Sequence, residues 1–238
     1  MTDSSINSIE VAKDLNQQAT NYCKQEQYDK AEPLLKQALA IYQDQFGNEH
    51  LDVADTLDFL AHLYHFLDRY EERESLLTQA LKIRKKLLGS EHPDIADSLS
   101  SLGSLYVSQR RFKKAEPLLT QALAIYQEQF GSEYPDILMG PVNGLALIYC
   151  QQERYVEAAP LLTQILEMSQ RLFGNEHPEV ATSLRKLAFL HESQKQFEKA
   201  ENLYLQALEM GQKLLGNGHP EVVAVQRQLD NCRQKMLA

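Results

Sequence analysis

Seven histidines, three cysteines and one short basic run carry most of the metal-binding, nucleophilic and anion-binding capacity of this sequence of 238 residues. His62 and His65 stand three apart, with Asp58 four residues before His62. On a helix the three share one face, which is part of a transition-metal site that still needs another ligand. The spacing belongs to no catalytic motif, and no bound metal is expected. His50, His92, His177 and His219 recur in separate turns, too far apart to share an ion, and read as helix-start residues. Cys23, Cys150 and Cys232 form neither a disulfide framework nor a CxxC redox pair, and none has an evident base partner in sequence. The run RRFKK, Arg110 to Lys114, surrounds an aromatic residue and reads as a solvated helix start. GxGxxG, P-loop, HExxH and GxSxG motifs are all lacking. The expectation is a protein with no enzymatic activity and no cofactor.

Composition narrows the class further. Hydrophobic residues are 43% and charged residues 24%, the balance of a folded chain. Lys and Arg total 24 against 33 Asp and Glu, a formal charge of -9, opposite in sign to most nucleic-acid binders. No apolar run approaches the roughly 20 residues of a membrane span. The N-terminal MTDSSINSIE does not read as a signal peptide. The expected setting is the cytoplasm, without nucleic acid or membrane as partner.

The elements that position these side chains are set by a repeat. FGNEH, LGSEHP, FGSEYP, FGNEHP and LGNGHP place His50, His92, Tyr134, His177 and His219 at spacings of 42, 42, 43 and 42. Tyr28, Tyr70, Phe112, Tyr155 and Phe197 keep the same spacings, so two independent markers share one register. Each period contains two amphipathic segments. Ile95, Leu99, Leu102 and Tyr106 lie on one helical face, and Phe112, Ala115, Leu119, Ala122 and Tyr126 on another. The turn near Gln109 and Arg110 is short, so the two helices are expected to run antiparallel. Gly47, Gly89, Gly131, Gly174 and Gly216 follow the second helix, where a left-handed residue is expected to end it. Pro93, Pro135, Pro178 and Pro220 suit the first turn of the next helix. A single hairpin cannot bury both apolar faces, whereas stacked hairpins can. The expected fold is all-α: a right-handed superhelix of five hairpins, with repeats near 9–50, 51–92, 93–134, 135–177 and 178–219. A flexible tail over residues 1–8 and a capping helix over 220–234 complete it.

These residues resemble the tetratricopeptide repeat. Leu99, Leu102, Gly103, Tyr106, Ala115, Leu119 and Ala122 carry the likeness in the second period; Ala19, Tyr22, Ala31, Leu35 and Ala38 carry it in the first. Leu187, Ala188, Ala200, Tyr204 and Ala207 carry it in the fifth. The 42-residue period with its G-x-E-H-P turn is similar to the repeats of kinesin light chains and their prokaryotic relatives. The resemblance implies a scaffold that binds a protein or peptide on the inner wall lined by first helices. The paired asparagines common on that wall are replaced here by Asp58-Phe59, Ser100-Ser101, Asn143-Gly144 and Arg185-Lys186. A stand-alone bacterial-type repeat protein is therefore expected rather than a motor cargo adaptor.

Counting from the large packing residues gives the candidate binding wall. It comprises Asp55, Asp58, Phe59, His62, Asp97, Ser100, Asn143, Arg185, Lys186, Phe189 and Arg227. Asp55, Asp58 and Asp97 make an acidic end and Arg185, Lys186 and Arg227 a basic one, so the expected ligand is a peptide with charged ends. The alternative is self-assembly into a homo-oligomer through the solenoid ends. Three irregularities carry expectations of their own. Arg73 replaces a small core residue and is expected to snorkel. Pro33, Pro117 and Pro160 are expected in a tolerant first turn. The extra residue in DILMGPVNGLALIY is expected to kink or bulge the helix near residues 137 to 141.

Overall fold

The computed structural model describes residues 3–131 and 134–237, with side chains in the first helix from residue 7 onward. Ser132 and Glu133 of the third repeat turn lie outside the described residues. Among the described residues eleven helices follow in order: α1 (Asp3–Lys24), α2 (Tyr28–Phe46), α3 (Leu51–Phe66), α4 (Tyr70–Leu88), α5 (Pro93–Ser108) and α6 (Phe112–Phe130). Then come α7 (Pro135–Gln151), α8 (Tyr155–Phe173), α9 (Pro178–Ser193), α10 (Phe197–Leu215) and α11 (Pro220–Met236). They form an all-α solenoid of five hairpins and a final capping helix. Its helices fall into two compact units, Met1–Ile125 and Tyr126–Ala238.

Repetition reaches down to the atoms that start each helix. His50, His92, His177 and His219 each turn Nδ1 onto the backbone N–H two residues on, at 3.3, 3.2, 3.2 and 3.3 Å. The ring does the work of an N-cap side chain, satisfying a donor that has no partner in the helix. At three of these starts proline occupies the first helical position, where its missing N–H costs nothing. Tyr134 stands at the same register before α7 and makes no side-chain cap.

The backbone between helices departs from the sequence expectation. Gly47 has φ 78° and ψ -178°, and Gly174 has φ 80° and ψ 176°, so these residues are extended with positive φ rather than left-handed helical. That region is open almost only to glycine. The left-handed conformation falls instead in the turn inside each hairpin, on Glu26, Asp68, Arg110, Glu153 and Lys195, with φ between 55° and 60°.

Three further expectations are corrected. Helix α1 begins at Asp3, so residues 3–8 extend it instead of forming a tail; that stretch holds neither glycine nor proline to stop it. Pro33, Pro117 and Pro160 are the sixth residues of α2, α6 and α8, hence in the second turn. All three rings are exposed, so the carbonyl left without an N–H partner can be hydrated. Helix α7 is continuous from Pro135 to Gln151. From Leu138 onward its buried positions match those of α5 in the 43-residue register, so the extra residue is absorbed ahead of Leu138, in the first turn. Pro141 sits where Thr56, Ser98 and Ser183 return their hydroxyls to the carbonyl four residues back, at 2.8, 3.1 and 2.8 Å. This position already loosens the helix in other repeats, which is why proline is accepted there.

Within the first unit, two clusters of buried side chains join hairpins one and two. One holds Ala12, Ala38, Tyr42, Val53 and Ala80; the other holds Ala19, Ala31, Leu35, Leu60 and Leu63. A polar latch at the hairpin edge recurs alongside them. Glu32 of α2 accepts at Oε1 from Tyr64 Oη (2.8 Å) and Arg69 Nη1 (2.7 Å), and from Lys36 of its own helix (2.7 Å). Burial would raise the Glu32 carboxyl, but these three donors outweigh it and hold its pKa at about 2. Glu74 of α4 repeats the arrangement with Tyr106 Oη at 2.8 Å and Arg111. In both latches the guanidinium lies over the tyrosine ring, 4.0 and 4.4 Å from its centre.

Candidate functional site

In the first unit the candidate wall residues fall on α3 and α5. Asp55 and Asp58 converge on Arg84 of α4: Arg84 Nη2 lies 2.6 Å from Asp55 Oδ1, and Nη1 donates to Asp58 and, at 2.5 Å, to Ser98 Oγ. Only 7% of the Arg84 side chain is exposed. Burial pushes the Asp58 carboxyl up while Arg84 opposes the shift. The acidic end read from the sequence is thus partly compensated from beneath. The sequence signal is that Arg84 occupies the register of Tyr42 and Tyr126, but the count of wall positions considered only first helices.

The rest of this group serves different neighbours. Phe59 is half-buried against the core of hairpins one and two. His62 meets Phe66 edge-on at 5.1 Å, and Phe66 stacks on Tyr28 at 5.1 Å. His65 Nδ1 faces Arg73 Nη1 at 3.2 Å. Asp58 is committed to Arg84, so it does not join His62 and His65. Among the described residues no group of three His, Cys, Asp or Glu side chains could hold a metal ion. Arg73 is half-buried, as its core register requires, and desolvation pushes its pKa down. Asp97 is exposed and Ser100 half-buried.

In the second unit the structure brings Asn143, Arg185, Lys186 and Phe189 together. They line a cavity of about 370 Å³ with Ala146, Leu147, Cys150 and Gln151 of α7, Leu162 of α8 and Gln228 of α11. Lys186 Nζ donates to Asn143 Oδ1 at 3.1 Å, and Asn143 Nδ2 donates to the Met139 carbonyl at 3.0 Å. Burial, with Arg185 close by, pushes the Lys186 amine below its ordinary value. Burial pushes the Cys150 thiol up, with Lys186 working against it. Gln228 Oε1 is buried without a hydrogen-bond partner. Phe189 and Leu147 are about half exposed, so the rim is apolar while the wall carries two cations and three amides.

Arg227 does not join this group. It lines a separate depression with Gln212, Val223 and Asp230, and its neighbour Gln228 takes the place on the cavity wall. A one-residue step on a helix turns a side chain by about 100°, enough to move it off the shared face. Cys150 and Leu162 were not counted among the wall residues in the sequence; Leu162 stands at the register of Leu35, Leu77, Leu119 and Tyr204, which are buried in the other repeats.

The sequence profile of the tetratricopeptide repeat matches residues 11–86, 74–128 and 138–213. No curated protein matches the chain. Among solved structures, a kinesin-light-chain-type protein of Podosopora anserina with nearly identical TPR-like repeats is 27% identical. The match covers 87% of this chain and 98% of that one, with a TM-score of 0.71. BtubC of P. vanneervenii is 23% identical over 91% of each chain, TM-score 0.73. A Rap protein complexed with competence and sporulation factor is 20% identical, with 100% of this chain and 66% of that one covered, TM-score 0.60. The fold is typical of non-enzymatic scaffolds that bind proteins or peptides. By the match of its repeats over most of its length, the chain belongs to the tetratricopeptide repeat family.

Proposed function

We propose that the face made by α7, α9 and α11 binds a peptide or protein segment presenting a carboxylate beside an apolar side chain. The observation that carries this reading is the convergence of Arg185, Lys186, Asn143 and Gln228 with Leu147 and Phe189 around one cavity. A carboxylate there restores to Lys186 the compensation that burial removes. Phe189 supplies an aromatic anchor of the kind that interfaces favour. A Rap protein of the same fold is complexed with competence and sporulation factor, a precedent for a solenoid of this kind holding a ligand. The test is titration of fluorescent peptides carrying Asp or Glu next to Leu or Phe. Saturable binding is expected, weakened on the order of a hundredfold by Arg185→Glu with Lys186→Glu, with helicity unchanged. Equal affinity in the double variant removes the ligand from this face.

Self-association is the second reading, and it rests on Val11. Val11 is 43% exposed, whereas Val53, Ile95, Val180 and Val222 at the same register are at most 3% exposed. The outer face of hairpin one thus leaves open a position that a neighbouring hairpin covers elsewhere. Under this reading the mass from light scattering rises toward a dimer with concentration, and Val11→Lys holds it at the monomer value. A constant mass across the series rules it out. Among the described residues no helix is long and apolar enough to cross a membrane. We also propose a cytoplasmic setting, which the three free cysteines support.

A further inference from the structure

We infer that the junction between hairpin four (α7 and α8) and hairpin five (α9 and α10) is the weak point of the second unit, a hinge at which α9, α10 and α11 come away and unfold as one cooperative body. The inference does not depend on what the cavity binds. Its first support is the latch. Glu32 and Glu74 each hold a tyrosine 32 residues on and an arginine 37 residues on. Glu201 of α10 likewise holds a residue 32 positions on, Arg233 of α11, at 2.7 Å. In hairpin four the glutamate position is Ala159, so no carboxylate is present to accept. Both partner positions have changed with it: His191 stands for the tyrosine and Gln196 for the arginine. These two turn to each other, His191 Nδ1 to Gln196 Oε1 at 2.9 Å, within hairpin five. Three coordinated replacements remove one fastening and leave the next one, Glu201 to Arg233, intact.

The second support is packing. The 370 Å³ cavity lies at this same junction, between α7 and α9. A cavity deprives its lining of contact atoms, so the first-helix side of the junction is the weaker for it. The Lys186 to Asn143 hydrogen bond spans the opening, with Ser169 and Ser183 meeting at 3.0 Å on the side of α8. Opening about these contacts changes the width of the cavity, and so couples its shape to the junction.

Native-state hydrogen exchange on the full chain tests the hinge without any ligand. Slow amides of α9, α10 and α11 are expected to share one opening, roughly ten- to a hundredfold more frequent than that of α1 and α2, a terminal hairpin that is latched. The variant Ala159→Glu, His191→Tyr, Gln196→Arg is expected to slow that shared exchange by a similar factor. If the triple variant does not fold, Glu74→Ala, Tyr106→His, Arg111→Gln in the first unit is the converse test, and is expected to speed exchange where hairpin three meets hairpin two. Fast exchange confined to α11 means fraying from the end and overturns the hinge. So does exchange of α9 and α10 no faster than that of α1 and α2, or insensitivity to the latch variant that folds.

Discussion

Arg84→Ala lowers the free energy of unfolding by about 3–5 kcal/mol, the cost of stripping one partner from a buried ion pair. Arg84 is almost wholly enclosed, and its guanidinium is the cation that Asp58 and Asp55 share. Without it, Asp58 keeps its burial and loses the charge that offset it. One oxygen of Asp58 already lacks a hydrogen-bond partner, so there is no local donor to take over. The Asp58 pKa rises further in the variant, so the deficit is largest near neutral pH and shrinks as the carboxyl takes up a proton. The double variant Arg84→Tyr, Asp58→Ser gives hairpin two the residues that hairpin three carries at Tyr126 and Ser100, and is expected to recover most of the loss. Chemical denaturation of the three proteins checks this. A loss below about 1 kcal/mol in Arg84→Ala would show that solvent reaches these charges.

Leu119→Ala costs about 2–5 kcal/mol, because Leu119 is fully buried and the space it leaves cannot collapse between two helices. The informative result is its coupling to Gly103. A Cβ built on Gly103 would stand 2.6 Å from Leu119 Cδ2 and 2.7 Å from Cγ. Other first helices carry alanine at this register: Ala19, Ala61, Ala146 and Ala188. Repeat comparison alone would thus favour Gly103→Ala, which gains up to about 1 kcal/mol of helix propensity. Crowding Leu119 opposes that gain by about 1–3 kcal/mol, so the single substitution destabilises. In the Leu119→Ala background the new methyl enters vacated space, and the double variant costs less than the sum of the singles. Strict additivity would show that Leu119 moves aside at no cost.

The scaffold was legible because its signals are local. A helix records its buried stripe every three or four residues, its start in a capping side chain and its stop in a glycine, so eleven helices and their pairing follow from neighbouring residues. The histidine caps belong to this class: one ring, one N–H, two residues apart. The candidate cavity was legible in part, since Asn143, Arg185, Lys186 and Phe189 share the wall registers. Arg227 did not follow, because one position along a helix is a different face.

What the tertiary structure decided are the contacts between hairpins. Arg84 reaches Asp55 and Asp58 from 29 and 26 residues away, and the latches span 32 and 37 residues. Sequence spacing states that such residues recur; it does not state which side chains meet once helices stack. Whether Asp58 is a free charge or half of a buried pair depends on an arginine that enters from another helix. Whether Ala159 is a harmless variation or a missing fastening depends on Tyr64 and Tyr106 reaching the glutamates of the preceding hairpins. Periodicity determines the helices, because each is stabilised by its own residues. The free or buried state of a charge and the strength of a junction are properties of several helices together, and only their packing fixes them.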